Sequence, residues 1–465
     1  MAYGQKRGKH WYVYVKQSDG KYRPYSKHPG SGQRWSTKKA AVDWGREEES
    51  RINSGTWVDP RKGETTWDQL WEMWVDYIDV DENTLDTYES LWATHVQPRY
   101  GQHAIGRAAA AEINGWLKRL AAGTEETGPP GRRRTRAYSP RTIQAIRTLM
   151  KTMLADAADP DGLNLVARNA LAAAGRSNRG RRAARVQATV RPKLHATHEQ
   201  VLAAAVNMHQ LVGPGSVAGM GAFLRVLTAA WMGIRPGESA ALDQGDCLVS
   251  GSSRPVITVS DDEGTWEERR KQQPRLKYPK SGHGRTLVAP LGLAALLAAW
   301  FAFLGDGAVV AFPTHEGERW RRSRWGELWA QAATGGILTL RGPTNYAEAG
   351  TYVLERAVPR LEFKGLRRVH NTWLTELGTP DVVRTHRLGH AMDDDMQAAY
   401  SLVSPRLEAQ MLAGLQELWV EAFRGYAGIA ALGIVARFAP EQAADSRRVL
   451  AAARVREIGP GSSGL

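Results

Sequence analysis

The chain carries the stretch Arg387-Leu388-Gly389-His390 near its C-terminal end, and Tyr400 follows ten residues after the histidine. Three short motifs precede this stretch: Gly233-Ile234-Arg235-Pro236-Gly237-Glu238, Pro279-Lys280 and Gly365-Leu366-Arg367-Arg368. In sequence order they supply an arginine, a lysine, a second arginine, a histidine and a tyrosine. These are the side chains needed to attack a phosphodiester with a phenolic oxygen, so they decide how the rest of the sequence is interpreted.

The chemistry of a phosphodiester explains why these residue types belong together. Its non-bridging oxygens are anionic, and their charge must be neutralised as it grows in the pentacovalent state. Arginine is suited to this because its planar fork binds two oxygens and stays protonated. A tyrosine phenol, with a pKa of about 10, is both an acceptable nucleophile and a good leaving group, and a lysine can protonate the departing oxygen. The set predicts a reaction that needs no cofactor and no metal ion.

The bulk composition points to a polyanionic partner. The chain has 465 residues and a formal net charge of +14, a length typical of two to four domains and a charge typical of nucleic-acid-binding proteins. The alternative is a generally basic proteome with no special partner. The single cysteine, Cys247, excludes an internal disulfide and a cysteine-rich zinc site, which fits a reducing cytoplasm.

Neither a signal peptide nor a membrane span is predicted. The N-terminus lacks an apolar core of the kind that signal peptides contain. The uncharged stretch Leu287–Leu304 is almost long enough to cross a bilayer, but Pro290 and Gly292 interrupt it. A strand at Thr286–Ala289 followed by a buried helix at Leu293–Leu304 explains this stretch better.

The N-terminal half predicts two domains. Residues 1–60 combine aromatic strands with a helix after Ser36-Thr37, which predicts a sheet of about three strands packed on one helix. Interleaved lysines and arginines suit a sheet that lies in a DNA groove, and a solvated basic face is the alternative. Residues 64–172 show tryptophans and leucines at helical spacing, which predicts a compact helical domain.

The C-terminal half predicts a linker, a second large domain and a tail. Residues 175–193 are rich in arginine and predict a linker that tracks phosphates or, alternatively, a solvated tether. Residues 194–424 alternate helical patterns with short strands at Asp246–Val249, Pro255–Val259 and Thr286–Ala289. Residues 425–465 form an alanine-rich tail of one or two helices.

The motifs of residues 197–423 resemble those of the tyrosine recombinase, or phage integrase, family, and they occur in the family order. The resemblance implies these roles: Arg235 and Arg367 as phosphate clamps, Glu238 as the carboxylate that supports Arg235, Lys280 as the general acid with Lys277 as its substitute, His390 as a phosphate ligand and Tyr400 as the nucleophile. Arg368 is interpreted as a surface or DNA-backbone residue.

Two positions depart from the family pattern. Lys364 stands three residues before Arg367, where the family usually has histidine. A lysine of ordinary pKa is already protonated, so Lys364 either has a lowered pKa and accepts the proton of Tyr400 or binds the phosphate. The step from His390 to Tyr400 is about one residue longer than is usual in the family, which indicates an adjusted loop.

The resemblance also implies a fold class and partners. The expected chain is multidomain and mainly α-helical with small β-sheets: an arm-type DNA-binding sheet, a helical SAM-like core-binding domain and an α+β catalytic domain. The expected partners are double-stranded DNA attachment sites, a homotetramer on DNA, a directionality factor and a DNA-bending protein, in a bacterial cytoplasm and without a membrane. Apolar residues after Leu412 could contact another protomer or pack on their own domain: Leu415, Leu418, Trp419, Val420 and Phe423.

Two other functions remain compatible with the sequence. A type IB topoisomerase shares the chemistry but acts without a partner site, and the arm-like N-terminal domain argues against it. A DNA-binding regulator that has lost catalysis is the other alternative. The complete set of clamp residues argues against that alternative, and Lys364 is its only support.

Overall fold

A computed structural model describes residues 1–17, 20–29, 31–53, 60–128, 134–172, 195–269, 272–342, 349–390 and 404–444. The chain divides into two compact units, Met1–Thr189 and Val190–Leu465. Both are mainly helical and carry small antiparallel sheets, so the predicted fold class is confirmed.

The N-terminal part of the first unit is a three-stranded antiparallel sheet covered by one helix. Its strands are β1 (Tyr3–Arg7), β2 (His10–Lys16) and β3 (Tyr22–Tyr25), in that order, and the helix is α1 (Lys38–Asn53). Alternate residues of β2, Val13 and Val15, are buried in a core with Ala2, Trp35 and Ala41. Isolated bridges join Trp11 to Trp35 and Lys27 to Arg34.

A helical bundle forms the rest of the first unit. Its helices are α2 (Trp67–Tyr77), α3 (Glu82–Leu91), α4 (Gln97–Tyr100), α5 (Ala110–Ala122) and α6 (Pro140–Ala158), with a π-helical turn at Trp92–Val96. Two short strands, β4 (Glu126–Thr127) and β5 (Arg134–Thr135), pair in antiparallel fashion. Helix α2 begins at a capping box in which Thr66 and Gln69 exchange side-chain and backbone hydrogen bonds. The predicted aromatic stripe is core: Trp67, Trp74 and Trp116 are almost fully buried.

The second unit is built around two largely buried helices, which are the first two in its sequence. Its helices are α7 (His198–Val212), α8 (Val217–Met232), α9 (Pro236–Ala241), α10 (Leu291–Leu304), α11 (Arg322–Thr334), α12 (Leu366–Glu376), α13 (Asp381–Leu388), α14 (Pro405–Arg424) and α15 (Tyr426–Val435). All residues of α8 except the first are buried, because other elements surround it.

Small sheets complete the second unit. The central sheet has the order β10 (Arg285–Val288), β7 (Val256–Val259) and β6 (Cys247–Leu248), close to the three predicted strands. Two hairpins were not predicted. They are β8 (Thr265–Glu267) with β9 (Arg275–Lys277), and β11 (Gly336–Leu340) with β12 (Gly350–Leu354).

The helices after residue 404 belong to the core of the second unit. Leu415, Trp419 and Phe423 are buried with side chains of their own unit, so the possible contact of these three with another protomer gives way to self-packing. The same core includes side chains between Ala427 and Ala443, beyond the domain end predicted at residue 424. Within the described residues no single helix is long and apolar enough to span a membrane, although the bent pair α14 and α15 meets that criterion by length and composition alone.

Candidate active site

The first element of the site is the turn between α8 and α9. Helix α8 ends at Gly233, which adopts the left-handed conformation at φ 66°. A Cβ atom at Gly233 would collide with the ring of His370, so both the backbone conformation and the space require glycine. Arg235 then precedes the first residue of α9, and its backbone N–H donates to Oε2 of Glu238 at 2.7 Å.

Glu238 is a buried carboxylate held by two arginines. Arg235 donates from Nη1 to its Oε1 at 2.7 Å, and Arg285 donates to both oxygens, at 3.1 Å and 2.7 Å. Burial alone would raise the pKa of Glu238, but the hydrogen bonds and charge of Arg285, and then those of Arg235, outweigh burial and lower it to about 2. The carboxylate is therefore ionised at any physiological pH.

Arg367 lies at the start of α12 and joins this cluster from another side. Its Nη1 donates to the carbonyl of Gly233 at 3.0 Å, and its Nη2 donates to the carbonyl of Leu388. Burial, and then the charge of Arg235, lower the pKa of Arg367 to about 9. This environment disfavours concentrated positive charge, and an anion bound here would relieve that penalty.

The C-terminal end of α13 connects the three arginines. The consecutive carbonyl groups of residues 387, 388 and 389 accept hydrogen bonds from Arg285 at 3.2 Å, from Arg367, and from Arg235 at 3.2 Å, respectively. The last carbonyls of a helix have no partners within the helix and carry its negative dipole end, so cations stabilise them. Gly389 ends the helix in the left-handed conformation, at φ 59°.

His390 follows this turn directly, and its backbone N–H donates to the carbonyl of Thr385 at 3.2 Å. Partial burial, and then the positive charges of Arg367, Arg235 and Arg285, lower its pKa. The imidazole is therefore neutral at physiological pH and can donate one hydrogen bond.

Arg387 and His370 support the turn from within the core. Arg387 is buried and donates to Nε2 of His370 at 3.1 Å and to the carbonyls of Val288 and Trp231 at 3.1 Å and 3.0 Å. Burial, and then the charge of Arg387, hold the pKa of His370 well below its usual value. His370 is therefore a neutral structural acceptor.

The two candidate lysines lie in different environments. Lys280 is exposed in a turn closed by a 2.9 Å hydrogen bond from Gly282 N–H to the carbonyl of Pro279. Lys277 lies in β9, with a side chain only 11% exposed and its Nζ 3.4 Å from the buried carboxylate of Glu267. This ion pair occupies Lys277, whereas the ammonium of Lys280 is open to a substrate.

The last two predicted residues are Lys364 and Tyr400. The side chain of Lys364 is 64% exposed, and its Nζ lies 2.8 Å from Glu362. That hydrogen bond lowers the pKa of Glu362. Tyr400 lies outside the described residues.

The structure thus brings Arg235, Glu238, Arg367 and His390 together and adds Arg285, to which the sequence assigned no role. Arg285 opens strand β10 and contacts a carboxylate 47 positions earlier. Its only sequence signal was its place shortly after the lysine motif Pro279-Lys280. Among the described residues, no group of three or more histidine, cysteine, aspartate or glutamate side chains could hold a metal ion.

No protein-family model and no curated protein matches the chain. Among solved structures, the Tn1549 transposon integrase in complex with transposon right end DNA matches with a TM-score of 0.50 and 16% identity, covering 75% of this chain and 99% of the other. The same integrase in complex with a circular intermediate DNA matches with a TM-score of 0.51 and 15% identity, covering 75% and 99%. This likeness shows that the chain has the fold of a tyrosine recombinase.

Proposed function

We propose that this chain, whose fold is that of a tyrosine recombinase, is a site-specific DNA recombinase of the integrase type. The observation that carries the proposal is the cluster of Arg235, Arg367 and neutral His390 around the end of α13. Two partly desolvated guanidinium groups beside a hydrogen-bond donor suit a phosphate whose charge grows during reaction. The solved structures of the same fold contain DNA, which supports DNA as the substrate.

In the proposed reaction the phenolic oxygen of Tyr400 attacks the phosphorus of one DNA strand. A bond from that oxygen to phosphorus forms, and the bond from phosphorus to the 5′-oxygen breaks. The phenolic proton of Tyr400 passes to water, and Lys280 supplies a proton to the departing 5′-oxygen, so the products are a 3′-phosphotyrosyl link and a free 5′-hydroxyl. The 5′-hydroxyl of a second duplex reverses the step and restores Tyr400, so no cofactor is consumed.

The N-terminal sheet supports a second DNA contact. On the face opposite α1, Arg7 lies over the rings of Tyr12 and Tyr14, with 5.6 Å and 5.8 Å to the ring centroids. The exposed basic residues outside α1 are, among the described residues of this domain, Lys6, Arg7, Lys9, Lys16, Lys21, Lys27 and Arg34. A basic face interleaved with aromatic rings suits a duplex, as an arm-type domain would require.

The wider proposal concerns assembly and location. Exchange between two duplexes requires four active sites, so a homotetramer on DNA attachment sites is the expected complex. A directionality factor and a DNA-bending protein are the expected helpers, and the bacterial cytoplasm, at the nucleoid, is the expected location. The reaction would integrate or excise a phage or another mobile element.

Trapping of the covalent intermediate tests this function. Duplexes selected by the protein from a randomised pool are nicked at successive positions, so that cleavage releases a short strand and cannot reverse. The expected result is a protein–DNA adduct on selected duplexes that is lost in Tyr400→Phe. Tyr278→Phe is the matched control, because Tyr278 is exposed near the lysine motif, and it is expected to retain the adduct.

The outcomes separate the three candidate functions. An adduct that forms equally well on unrelated duplexes would favour a type IB topoisomerase. Selective DNA binding without any adduct would favour a regulator that has lost catalysis. An adduct that persists in Tyr400→Phe would refute the assigned nucleophile.

A further inference from the structure

We propose that Arg285 is a positioning residue of this site: it fixes the Glu238 carboxylate and the carbonyl of Arg387, and so holds both the clamp residue Arg235 and the turn that carries His390. This inference rests on the proposed function for its catalytic consequence. Its structural basis is a set of contacts that no other described residue provides in combination.

All three nitrogens of the Arg285 guanidinium group donate hydrogen bonds inside the protein. Its Nη1 and Nη2 donate to Oε1 and Oε2 of Glu238, and its Nε donates to the carbonyl of Arg387. Its side chain is only 6% exposed, whereas that of Arg235 is 25% exposed. Arg285 therefore has little surface to offer to a phosphate, and its part in the site is to orient other groups.

The contacts of Arg285 couple two separate parts of the site. One end of the guanidinium reaches the carboxylate that receives both the backbone N–H and Nη1 of Arg235. The other end reaches the first of the three carbonyls that precede His390. A Cβ atom at Gly389 would lie 3.0 Å from Cδ of Arg285, so the turn is closely packed on this side chain. Loss of Arg285 would release both parts at once.

The electrostatics of Glu238 support the same role. The charged groups that face it are Arg235 and Arg285, with Arg367 and His390 nearby. Burial opposes its ionisation, and Arg285 is the strongest of the interactions that restore it. Without Arg285 the pKa of Glu238 rises, and a protonated Glu238 has one oxygen fewer to accept hydrogen bonds from Arg235.

The test compares Arg285→Met with wild type in the adduct-forming reaction at saturating DNA. We expect the cleavage rate to fall by about 100-fold while the DNA dissociation constant changes by less than about threefold, because misplaced groups slow the reaction without removing a DNA contact. Arg285→Lys keeps the charge but loses the fork, and we expect it to recover less than about a tenth of the rate. Arg254→Met is the matched control: Arg254 is 67% exposed and pairs with Glu408 outside the site, so the rate should be unchanged.

A pH profile distinguishes positioning from a general loss of structure. In Arg285→Met the cleavage rate should fall further as the pH is lowered from 7 to 5, because the Glu238 pKa has risen. In the double variant with Glu238→Gln this additional step should disappear. Equal pH profiles for wild type and Arg285→Met, full recovery by Arg285→Lys, or a wild-type rate in Arg285→Met would each overturn the proposal.

Thermal unfolding tests the coupling without reference to any DNA reaction. If Arg285 acts through Glu238, the double variant Arg285→Met, Glu238→Gln should have a melting temperature no lower than that of Arg285→Met alone. The reason is that Arg285→Met already leaves the Glu238 carboxylate without its strongest partner, so replacing this carboxylate costs no further stability. Additive losses would refute the coupling. Absence of an adduct with wild-type protein would refute the proposed function instead, so the two failures remain distinguishable.

Discussion

At the scale of single residues, the site depends on how each charge is compensated. Arg235 has a carboxylate partner, whereas the hydrogen bonds of Arg367 to other described residues go to backbone carbonyls. Partial burial, and then the cations around it, lower the pKa of His390. These differences follow from which chain segments reach the end of α13. Under the proposed function, the bound phosphate would be an anionic partner for Arg367. Their interaction would strengthen as negative charge develops on the phosphate oxygens during the reaction.

The exposure of Lys280 predicts a specific chemical rescue. We expect Lys280→Ala to slow cleavage by about 10²- to 10⁴-fold, because the 5′-oxygen then leaves without a proton. A substrate with sulfur in place of the bridging 5′-oxygen should restore the rate, since a thiol has a pKa of about 8.5 and departs as the thiolate. Suicide-duplex cleavage rates with both substrates measure this.

Lys277→Ala is the control for that experiment. Its ammonium is bound by Glu267, so its loss should alter the stability of the hairpin and not the response to sulfur. If sulfur rescued Lys277→Ala and left Lys280→Ala slow, the roles of the two lysines would have to be exchanged.

Sequence reasoning succeeded where a residue lies in a local motif and failed where its role depends on distant partners. Arg235 and Glu238 are three positions apart on one turn, so their contact follows from local helix geometry. Arg285 reads as an ordinary polar residue at the start of a strand, because Glu238 and the carbonyl of Arg387 are brought to it only by the folded unit.

At the scale of elements, the spacing of apolar residues predicted the helices and strands that bury one face. The region predicted to be helical, residues 64–172, contains the helices of the bundle, and the three strands of the central sheet fall close to their predicted positions. The sequence pattern did not predict hairpin β11–β12. Its paired residues Ile337 and Val353 are 77% and 72% exposed, so apolar residues do not mark its buried face. The pattern did not predict strands β8 and β9 because each has only three residues, too few to show an alternation of apolar and polar side chains.

The packing of α15 predicts that the segment after Gly425 is needed for stability. Deletion of residues 425–465 removes Leu432, Ile434, Val435 and Phe438 from the core of the second unit. Each such side chain contributes about 1.5–3 kcal/mol, so the unit should lose more than about 5 kcal/mol or become insoluble. Calorimetry of the unfolding transition of the second unit measures this loss.

A shorter deletion provides the control for the role of α15. Removal of residues 445–465 leaves all of the described core side chains in place and should keep the melting temperature. Normal unfolding after the longer deletion would contradict the packing role of α15.

At the scale of the whole molecule, three separate hydrophobic cores hold the described residues, one beneath the N-terminal sheet, one in the helical bundle and one in the second unit. Buried histidines occur in the last two. Burial, the larger cause, and a nearby arginine lower the pKa of His95 to about 4, and the same causes lower that of His209 to about 4. His370 is shifted in the same direction.

These histidines predict that both units lose stability in mild acid. Each folded-state pKa lies below the unfolded value of 6.5, so the stabilisation is complete above about pH 6.5 and is lost as the pH falls towards about 4. Each group accounts for about 1–3 kcal/mol, which corresponds to a fall of several degrees in Tm. Calorimetry between pH 7.5 and 4.5 measures this dependence.

His95→Phe provides the control for the first unit. The new ring can keep the edge-to-face packing on Tyr138, whose centroid lies 4.8 Å from that of His95, but it cannot titrate. The Tm of the first unit should therefore depend less on pH, while the pH dependence of the Tm of the second unit should be unchanged. A Tm that stays constant down to pH 4.5 in wild type would contradict the shifted pKa values.

The three carbonyls at the end of α13 have a consequence for the timing of biosynthesis. They are contacted by arginines that lie up to 154 positions earlier in the chain, so this arginine cluster cannot form until residue 389 has left the ribosome. The segment with Tyr400 and the core helices α14 and α15 follow later still. Under the proposed function, a nascent or prematurely terminated chain would therefore lack the means to cut DNA, and the order of synthesis would protect DNA from incomplete copies of the protein.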